Sequence, residues 1–319
     1  MLASMFRNVL MLAFFLLLNA CAATGVRETV QNKDLPRQHE LTKTPFFPQE
    51  LYHCGPAALA TALNAIDINV TPDQLVPEVY IPARQGSLQI EMLAASRRHG
   101  ALSVKVAPRL DAVLKEVAAG NVVVVMQNLG LSWAPSWHYA VVVGYNLEQE
   151  KIWLRSGTFE RFEMTLSTFQ RTWARSEYWA FVALKPGSLP ASDDPDAVAK
   201  AIVAFEKNSN KKDAYLSYDA AVKRWPDHLV LLMGLGNSAY ALGNYSHATS
   251  AFRDATTAHP DSAAAHNNLA NMLMILGDAK AAKLAAEKAL ALAGADQAMR
   301  VQIVKTIEEI NSYTAKNPH

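Results

Sequence analysis

Two residues far apart in this sequence have the types needed for a nucleophile and its base. Cys54 is followed by Gly55 and Pro56. Because proline is well tolerated in the first turn of a helix, the sequence predicts a thiol at a helix N-terminus. A helix dipole and a nearby imidazolium both favour the thiolate, which is the reactive form of cysteine. His138 begins an apolar run typical of a strand, and we predict that it pairs with Cys54 to attack a carbonyl carbon.

Gln49 is the predicted third member of this site. Attack on a peptide carbonyl creates an oxyanion, which needs fixed hydrogen-bond donors. An amide side chain just upstream of the nucleophile could donate to that oxygen beside the backbone N–H of Cys54. Plainer interpretations remain open, because Cys54 could be a buried structural thiol and Gln49 an ordinary surface amide.

The amino terminus is predicted to be a targeting segment. Arg7 precedes an apolar stretch over 9–18, which is shorter than the roughly 20 residues that span a bilayer. The following Leu18-Asn19-Ala20-Cys21 resembles a bacterial lipobox. This resemblance implies a signal peptide over 1–20, lipidation of Cys21 and a polar tether over 21–44. Ala22 after the cysteine implies the outer membrane facing the periplasm, although an ordinary cleaved signal peptide is the alternative.

The composition favours two packed domains. The chain has 319 residues, half of them hydrophobic, and a net charge of +1, which disfavours a nucleic-acid partner. The pattern over 45–187 predicts an α+β domain. Its predicted helices are 56–66, 88–99 and 110–119, and its predicted strands are 102–106, 122–126, 138–145, 151–155 and 178–184. No ligand spacing for a metal is present, and no cofactor is expected.

Residues 188–319 are predicted to be all-α and repetitive. Trp225-Pro226-Asp227 and Leu242-Gly243-Asn244 recur as His259-Pro260-Asp261 and Leu276-Gly277-Asp278. The period resembles that of tetratricopeptide repeats, whose stacked helices form a concave binding surface. The resemblance implies a protein or peptide partner, with a generic Ala-rich helical bundle as the alternative. The clearest copy has Gly236, Ala248, Phe252, Ala255 and Pro260 at the expected positions.

The segments from Gln49 to Ala58 and from His138 to Val142 together resemble the bacteriocin-processing, double-glycine leader peptidases. Those proteins are papain-like cysteine peptidases, and the resemblance covers roughly residues 45–185. It implies that Cys54, His138 and Gln49 are catalytic. The family usually has an aspartate on the strand after the histidine, but Ser156 stands there in this sequence. We expect either Ser156 or a substitute such as Asn146 to orient the imidazole.

These features predict a membrane-anchored cysteine peptidase that cleaves a peptide or protein substrate. Lipidated Cys21 would hold it to the membrane, and the repeat domain would recruit a protein or peptide. The sequence contains no exporter membrane segments and no nucleotide-binding motif, so an exporter's cargo is not implied. Two alternatives stay open: an inactive envelope adaptor, and another Cys–His enzyme such as an amidase or acyltransferase.

Overall fold

The computed structural model describes residues 20–49 and 53–316, with side chains from residue 25 onward. The predicted signal segment lies outside the described residues except for its last position, and so does the side chain of Cys21. The chain divides into two compact units. The first runs to Lys185 and includes Pro190–Asp193, and the second comprises Pro186–Leu189 and the chain from Asp194 onward. None of the described helices has the length and hydropathy needed to cross a bilayer.

The first unit is an α+β fold around one antiparallel sheet, which agrees with the predicted fold class. The sheet order is β4-β9-β5-β6-β7-β8, β1 pairs with β6, and β2 and β3 form a separate hairpin. The helices are α1 Ala20–Gln31, α2 Cys54–Asn64, α3 Pro72–Val79, α4 Gln89–Arg98, α5 Leu110–Ala118 and α6 Leu166–Ala174. The strands are β1 Gln38–Glu40, β2 Tyr80–Ile81, β3 Gly86–Ser87, β4 Leu102–Lys105, β5 Val123–Asn128, β6 Trp137–Asn146, β7 Lys151–Ser156, β8 Phe159–Thr165 and β9 Ala180–Leu184.

Much of the segment predicted to be a polar tether over 21–44 joins this fold. Helix α1 packs against α6, and its Val26 is 6% exposed. Strand β1 pairs antiparallel with β6, with Gln38 opposite Asn146 and Glu40 opposite Gly144. The prediction failed because a ladder of backbone hydrogen bonds needs no apolar side chains, so polar residues such as Gln38 and Glu40 can extend a sheet.

Helix α2 and the centre of the sheet form the core that positions the candidate site. Every residue from Gly55 to Leu63 is buried, because the Ala- and Leu-rich sequence is apolar all round. The valines of β5 and β6 are buried with it, as expected for β-branched residues in central strands. Cys54 at one end of α2 and His138 near one end of β6 are therefore carried by rigid, fully packed elements.

Among the described residues of the second unit, all of the regular secondary structure is helical. Small residues let these helices approach closely. A Cβ atom built on Gly236 would lie 2.5 Å from the ring of Phe252, and one on Gly234 would lie 2.1 Å from Tyr218. The helices are α7 Pro195–Glu206, α8 Lys211–Arg224, α9 Leu229–Ala241, α10 Tyr245–Ala258, α11 Ala263–Ile275, α12 Ala279–Leu292 and α13 Gln297–Lys316.

Candidate active site

Cys54 is the first residue of α2 and is partly exposed. The residue before it, His53, makes no side-chain cap to the helix, so the N-terminal N–H groups are left for other acceptors. Backbone N–H groups of Tyr139 and Gly55 lie within hydrogen-bonding reach of the thiol. The sulfur therefore lies between the helix end and strand β6, and donors approach it from both elements.

His138 is the second residue of β6, opposite Gln127 of β5. Its Nε2 atom lies 2.8 Å from the Oγ atom of Ser156, at the end of the neighbouring strand β7. In the tautomer with a proton on Nε2, the ring donates to Ser156 and leaves the Nδ1 lone pair free to accept a proton. That is the arrangement a general base needs.

Cys54, His138 and Gln49 line one cleft of about 870 Å³. Ser156 lies behind His138 and, together with Gln49, lines a much smaller void. Residues far apart in sequence thus meet at one concave surface, as a nucleophile, its base and an oxyanion donor require.

Gln49 is held in place by the turn that follows Ser156. Its backbone N–H donates to the carbonyl of Gly157 over 3.2 Å. Gly157 has φ +62°, in the left-handed region that glycine adopts without a steric penalty. The turn between β7 and β8 therefore links the candidate oxyanion donor to the residue that contacts His138.

Arg155 is a positioning residue that the sequence reasoning missed. Its side chain is buried and donates to the carbonyls of Thr44, over 3.0 Å, and Thr42, over 3.4 Å. It also donates to the carbonyl of Glu160. One guanidinium thus ties the segment leading to Gln49 to strands β7 and β8. The available signal was a cation directly after the apolar run over 152–154, since buried arginines are rare unless their donors are satisfied.

Asn146, the suggested substitute for the missing aspartate, is not at the site. It lies at the opposite end of β6, where its side chain donates to Gln38 Oε1 over 3.0 Å. Eight residues of strand separate it from His138, which corresponds to roughly 25 Å. The suggestion failed because a strand that runs from His138 to Asn146 holds its two ends far apart, as the predicted strand over 138–145 already implied.

The pKa values of Cys54 and His138 do not favour the thiolate that the sequence predicted. Burial raises the pKa of the Cys54 thiol above its ordinary 9.0, and the backbone N–H groups of Tyr139, Gly55 and Cys54 only partly oppose this effect. Burial also lowers the pKa of His138 below 6.5. Both shifts arise because a low-dielectric site disfavours the charged form. Both shifts favour a neutral thiol and a neutral imidazole in the resting pair.

The hairpin formed by β2 and β3 is one wall of the cleft and is fixed to the nucleophile helix. Tyr139 Oη donates to the carbonyl of Ser87 over 3.1 Å. A Cβ atom on Gly55 would lie 2.2 Å from Ser87 Oγ, so only glycine allows this close approach. His53 packs edge-on against Tyr80 with a 5.1 Å centroid distance and is not among the cleft's lining residues.

The loop between β5 and β6 forms another part of the cleft's rim. Trp137 lines the cleft, whereas Trp133 does not and is 82% exposed. Asn128 Oδ1 holds the two ends of the loop together, because it accepts hydrogen bonds of 2.9 Å from the N–H groups of both Gly130 and Ser136. Among the described residues, no group of three His, Cys, Asp or Glu side chains is placed to hold a metal ion.

Comparison with known proteins gives one match to a family model. Residues 31–180 match the model of the Peptidase_C39 like family. This C39-like region begins before β1 and ends at the start of β9, so it contains Gln49, Cys54, His138 and Ser156. No curated protein matches the chain.

Several solved structures are similar to part of this chain. A protein described as a C39-like peptidase from Bacillus anthracis is 17% identical, covers 47% of this chain and 98% of its own, and has a TM-score of 0.40. The type III secretion translocator chaperone SycD of Yersinia enterocolitica is 15% identical. It covers 39% of this chain and 90% of its own, with a TM-score of 0.36. PcrH of Pseudomonas aeruginosa is 18% identical, with coverage of 37% and 91% and a TM-score of 0.35.

Proposed function

We propose that this protein is a cysteine peptidase in which a papain-like domain carries the active site. The observation that carries the proposal is the shared cleft: Cys54 and His138 line it together, and Ser156 occupies the Nε2 side of the imidazole. The match of residues 31–180 to the Peptidase_C39 like family supports the same chemistry. The substrate class of double-glycine leader peptidases is not part of the proposal.

The reaction begins from the neutral pair. As Cys54 Sγ attacks the peptide carbonyl carbon, its proton moves to His138 Nδ1 and the carbonyl π electrons move to oxygen. Gln49 Nε2 and the Cys54 N–H donate to that oxyanion. Collapse of the tetrahedral intermediate breaks the C–N bond, and the imidazolium protonates the leaving amine. Water, deprotonated by His138, then attacks the thioester carbon. The C–S bond breaks, the imidazolium returns its proton to Cys54 Sγ, and the carboxyl product leaves.

A mechanism-based label tests the assignment. A peptide carrying a carbon electrophile at its carboxyl end should alkylate Cys54, as found by mass spectrometry of the digested protein. His138→Ala should reduce that labelling by at least about 100-fold, the effect expected for removal of a general base. His53→Ala is the matched control, because His53 adjoins Cys54 in sequence but packs on Tyr80 outside the cleft.

The alternatives predict different results. An inactive adaptor would leave Cys54 unlabelled, or labelled equally with and without His138. An acyltransferase would label normally but would pass the acyl group to an amine acceptor, and an amidase for other amides would label but leave the peptide bonds of the test peptides intact. Product analysis by mass spectrometry, with water or an added amine as acceptor, separates hydrolysis of a peptide bond from these reactions.

Anchoring and recruitment are further parts of the proposal, supported by the sequence. We propose that Cys21 is lipidated and holds the protein at the outer membrane, facing the periplasm. Incorporation of an alkynyl fatty acid that Cys21→Ser abolishes would support this, and a protein without incorporated lipid would contradict it. We propose that α7–α13 form tetratricopeptide repeats that recruit a protein or peptide partner.

A further inference from the structure

Arg84 lies at the tip of the hairpin that walls the cleft. The two strands pair Tyr80 with Ser87 and Ile81 with Gly86, and the tip between them is the 3-10 turn Pro82–Arg84. The turn closes with a backbone hydrogen bond of 3.1 Å from Gln85 N to Pro82 O. Because the base of the hairpin is packed against Gly55 and bonded to Tyr139, the hairpin is fixed to the cleft that both Arg84 and Cys54 line.

The guanidinium of Arg84 is exposed and makes no ion pair or hydrogen bond with any described residue. The nearby carboxylate of Glu78 is already engaged, at 2.9 Å from Arg98 Nε and 2.8 Å from His99 Nε2. Arg84 is also the one side chain among the described cleft-lining residues that carries a full charge at neutral pH. A lone cation in a concave, mostly uncharged site raises the local concentration of anions.

The remaining walls near Arg84 suit the body of a peptide. Leu88, Ile90, Met126 and Trp137 supply apolar surface, and Gln85 and Gln89 supply amide groups. Ile90 is 67% exposed and Trp137 52% exposed, so both can still bury area against a ligand. A peptide in this cleft would meet apolar surface along its length and a positive charge at the hairpin tip.

We propose that Arg84 determines specificity by binding a carboxylate of the substrate, either an acidic side chain or the carboxyl terminus. This inference rests on the proposed function, because it names the substrate class of the same cleft. The planar guanidinium presents paired donors that match the two carboxylate oxygens. Since the pair would remain partly exposed to water, its expected effect is roughly fivefold in kcat/KM or Kd.

Cleavage of matched peptides tests the inference. Glu and Gln are compared at each position of a fluorogenic peptide set, and each peptide is made with a free and with an amidated carboxyl terminus. We expect about a fivefold preference for Glu at one position, or for the free terminus, and the arm that responds identifies the source of the carboxylate. Arg84→Ala should abolish the preference, and Arg84→Glu should reverse it in favour of Gln or of the amidated terminus. Lys105→Ala removes one positive charge from β4, outside the cleft, and should leave the preference unchanged.

Binding to the Cys54→Ala variant tests the same inference without catalysis. The peptides carry a neutral fluorophore, and their anisotropy is measured with and without the Arg84→Ala change. A carboxylate preference that depends on Arg84 supports the inference even if no peptide is cleaved, in which case only the peptidase proposal fails. Equal binding of Glu and Gln peptides, a preference that survives Arg84→Ala, or no binding of any peptide overturns it.

Discussion

His138 Nε2 and Ser156 Oγ lie 2.8 Å apart at neighbouring ends of β6 and β7. A hydroxyl can hold the imidazole in one tautomer, but it adds no negative charge to stabilise an imidazolium. Ser156 thus orients the imidazole as an aspartate would, but it contributes no negative charge. This agrees with a His138 whose pKa burial lowers.

Replacing Ser156 separates two effects on His138: orientation of the ring and stabilisation of its positive charge. Ser156→Ala should lower kcat about three- to tenfold, the effect of one neutral hydrogen bond. Ser156→Asp should recover activity and raise the pKa of His138, because a carboxylate favours the imidazolium. The measurement is the pH profile of kcat for the three proteins. A Ser156→Ala enzyme with an unchanged kcat and profile would show that the serine does not position the ring.

The raised pKa of Cys54 predicts slow alkylation at neutral pH. In the native protein, the rate of iodoacetamide labelling should rise through a midpoint above 9.0, whereas the urea-unfolded chain should titrate near the ordinary value. Between the two midpoints the folded state holds the proton that the unfolded state has released. The free energy of unfolding should therefore fall as pH rises through this window, and Cys54→Ala should remove that part of the slope. A native midpoint below pH 7 would instead indicate a resting thiolate–imidazolium pair.

Arg155 should matter more to stability than its exposed neighbour Arg161. Arg155→Met leaves the carbonyls of Thr42, Thr44 and Glu160 without their donor, and we expect a loss of about 2–4 kcal/mol in urea unfolding. Arg161 is 47% exposed and pairs with Glu40, so Arg161→Met should cost less than about 1 kcal/mol. Equal losses in the two variants would contradict the positioning role of Arg155.

Glu116 should protect the segment after β9 from proteolysis. Its carboxylate is fully buried and accepts hydrogen bonds from Ala191 N over 3.0 Å, Ser192 N over 3.1 Å and Asn121 Nδ2 over 2.9 Å. Glu116→Gln removes one acceptor oxygen, which should cost about 1–3 kcal/mol and speed cleavage near residues 186–195 in limited proteolysis. Glu148→Gln, at an exposed position, should leave the cleavage rate unchanged.

Replacing Gly236 by alanine tests how closely the helices of the second unit pack. A glycine-to-alanine change in a helix normally stabilises it by about 0.5–1 kcal/mol. Here the new Cβ would lie 2.5 Å from the ring of Phe252, so we expect a net loss of about 1–3 kcal/mol from overpacking. Thermal unfolding followed by circular dichroism measures the change. Adding Phe252→Leu should recover part of the loss, and a stabilised single variant would refute the close contact.

The sequence predicted those elements whose apolar pattern is strong. The structure has helices at Cys54–Asn64 and Gln89–Arg98 and a strand at Val123–Asn128, close to the expected ranges. Strand β8 was missed because it lies at the sheet edge with mostly exposed residues, which leaves no clear alternation. Helix α3 was missed because Pro77 lies inside it, and a proline there normally argues against a helix.

The candidate site was predictable in its residue types but not in its surroundings. The Gly-Pro pair after Cys54 marks a helix start, and the structure has α2 begin at Cys54. The neighbours of His138 depend on strand register, which shifts between Val142 and Gly144 and again between Leu154 and Ser156. The thiol's pKa depends on burial by β6 and the β2–β3 hairpin, and local sequence does not show either contact.

Strand β6 has a mechanical consequence for the site. It carries His138 near one end, and at the other end it binds Gln38–Glu40 of β1. Tension on the chain before Gln38 would be borne by the packing of α1 and by this short ladder, and the ladder would pass force along the strand that holds the imidazole. Within β6, the strain would therefore reach Asn146 first and His138 only afterwards.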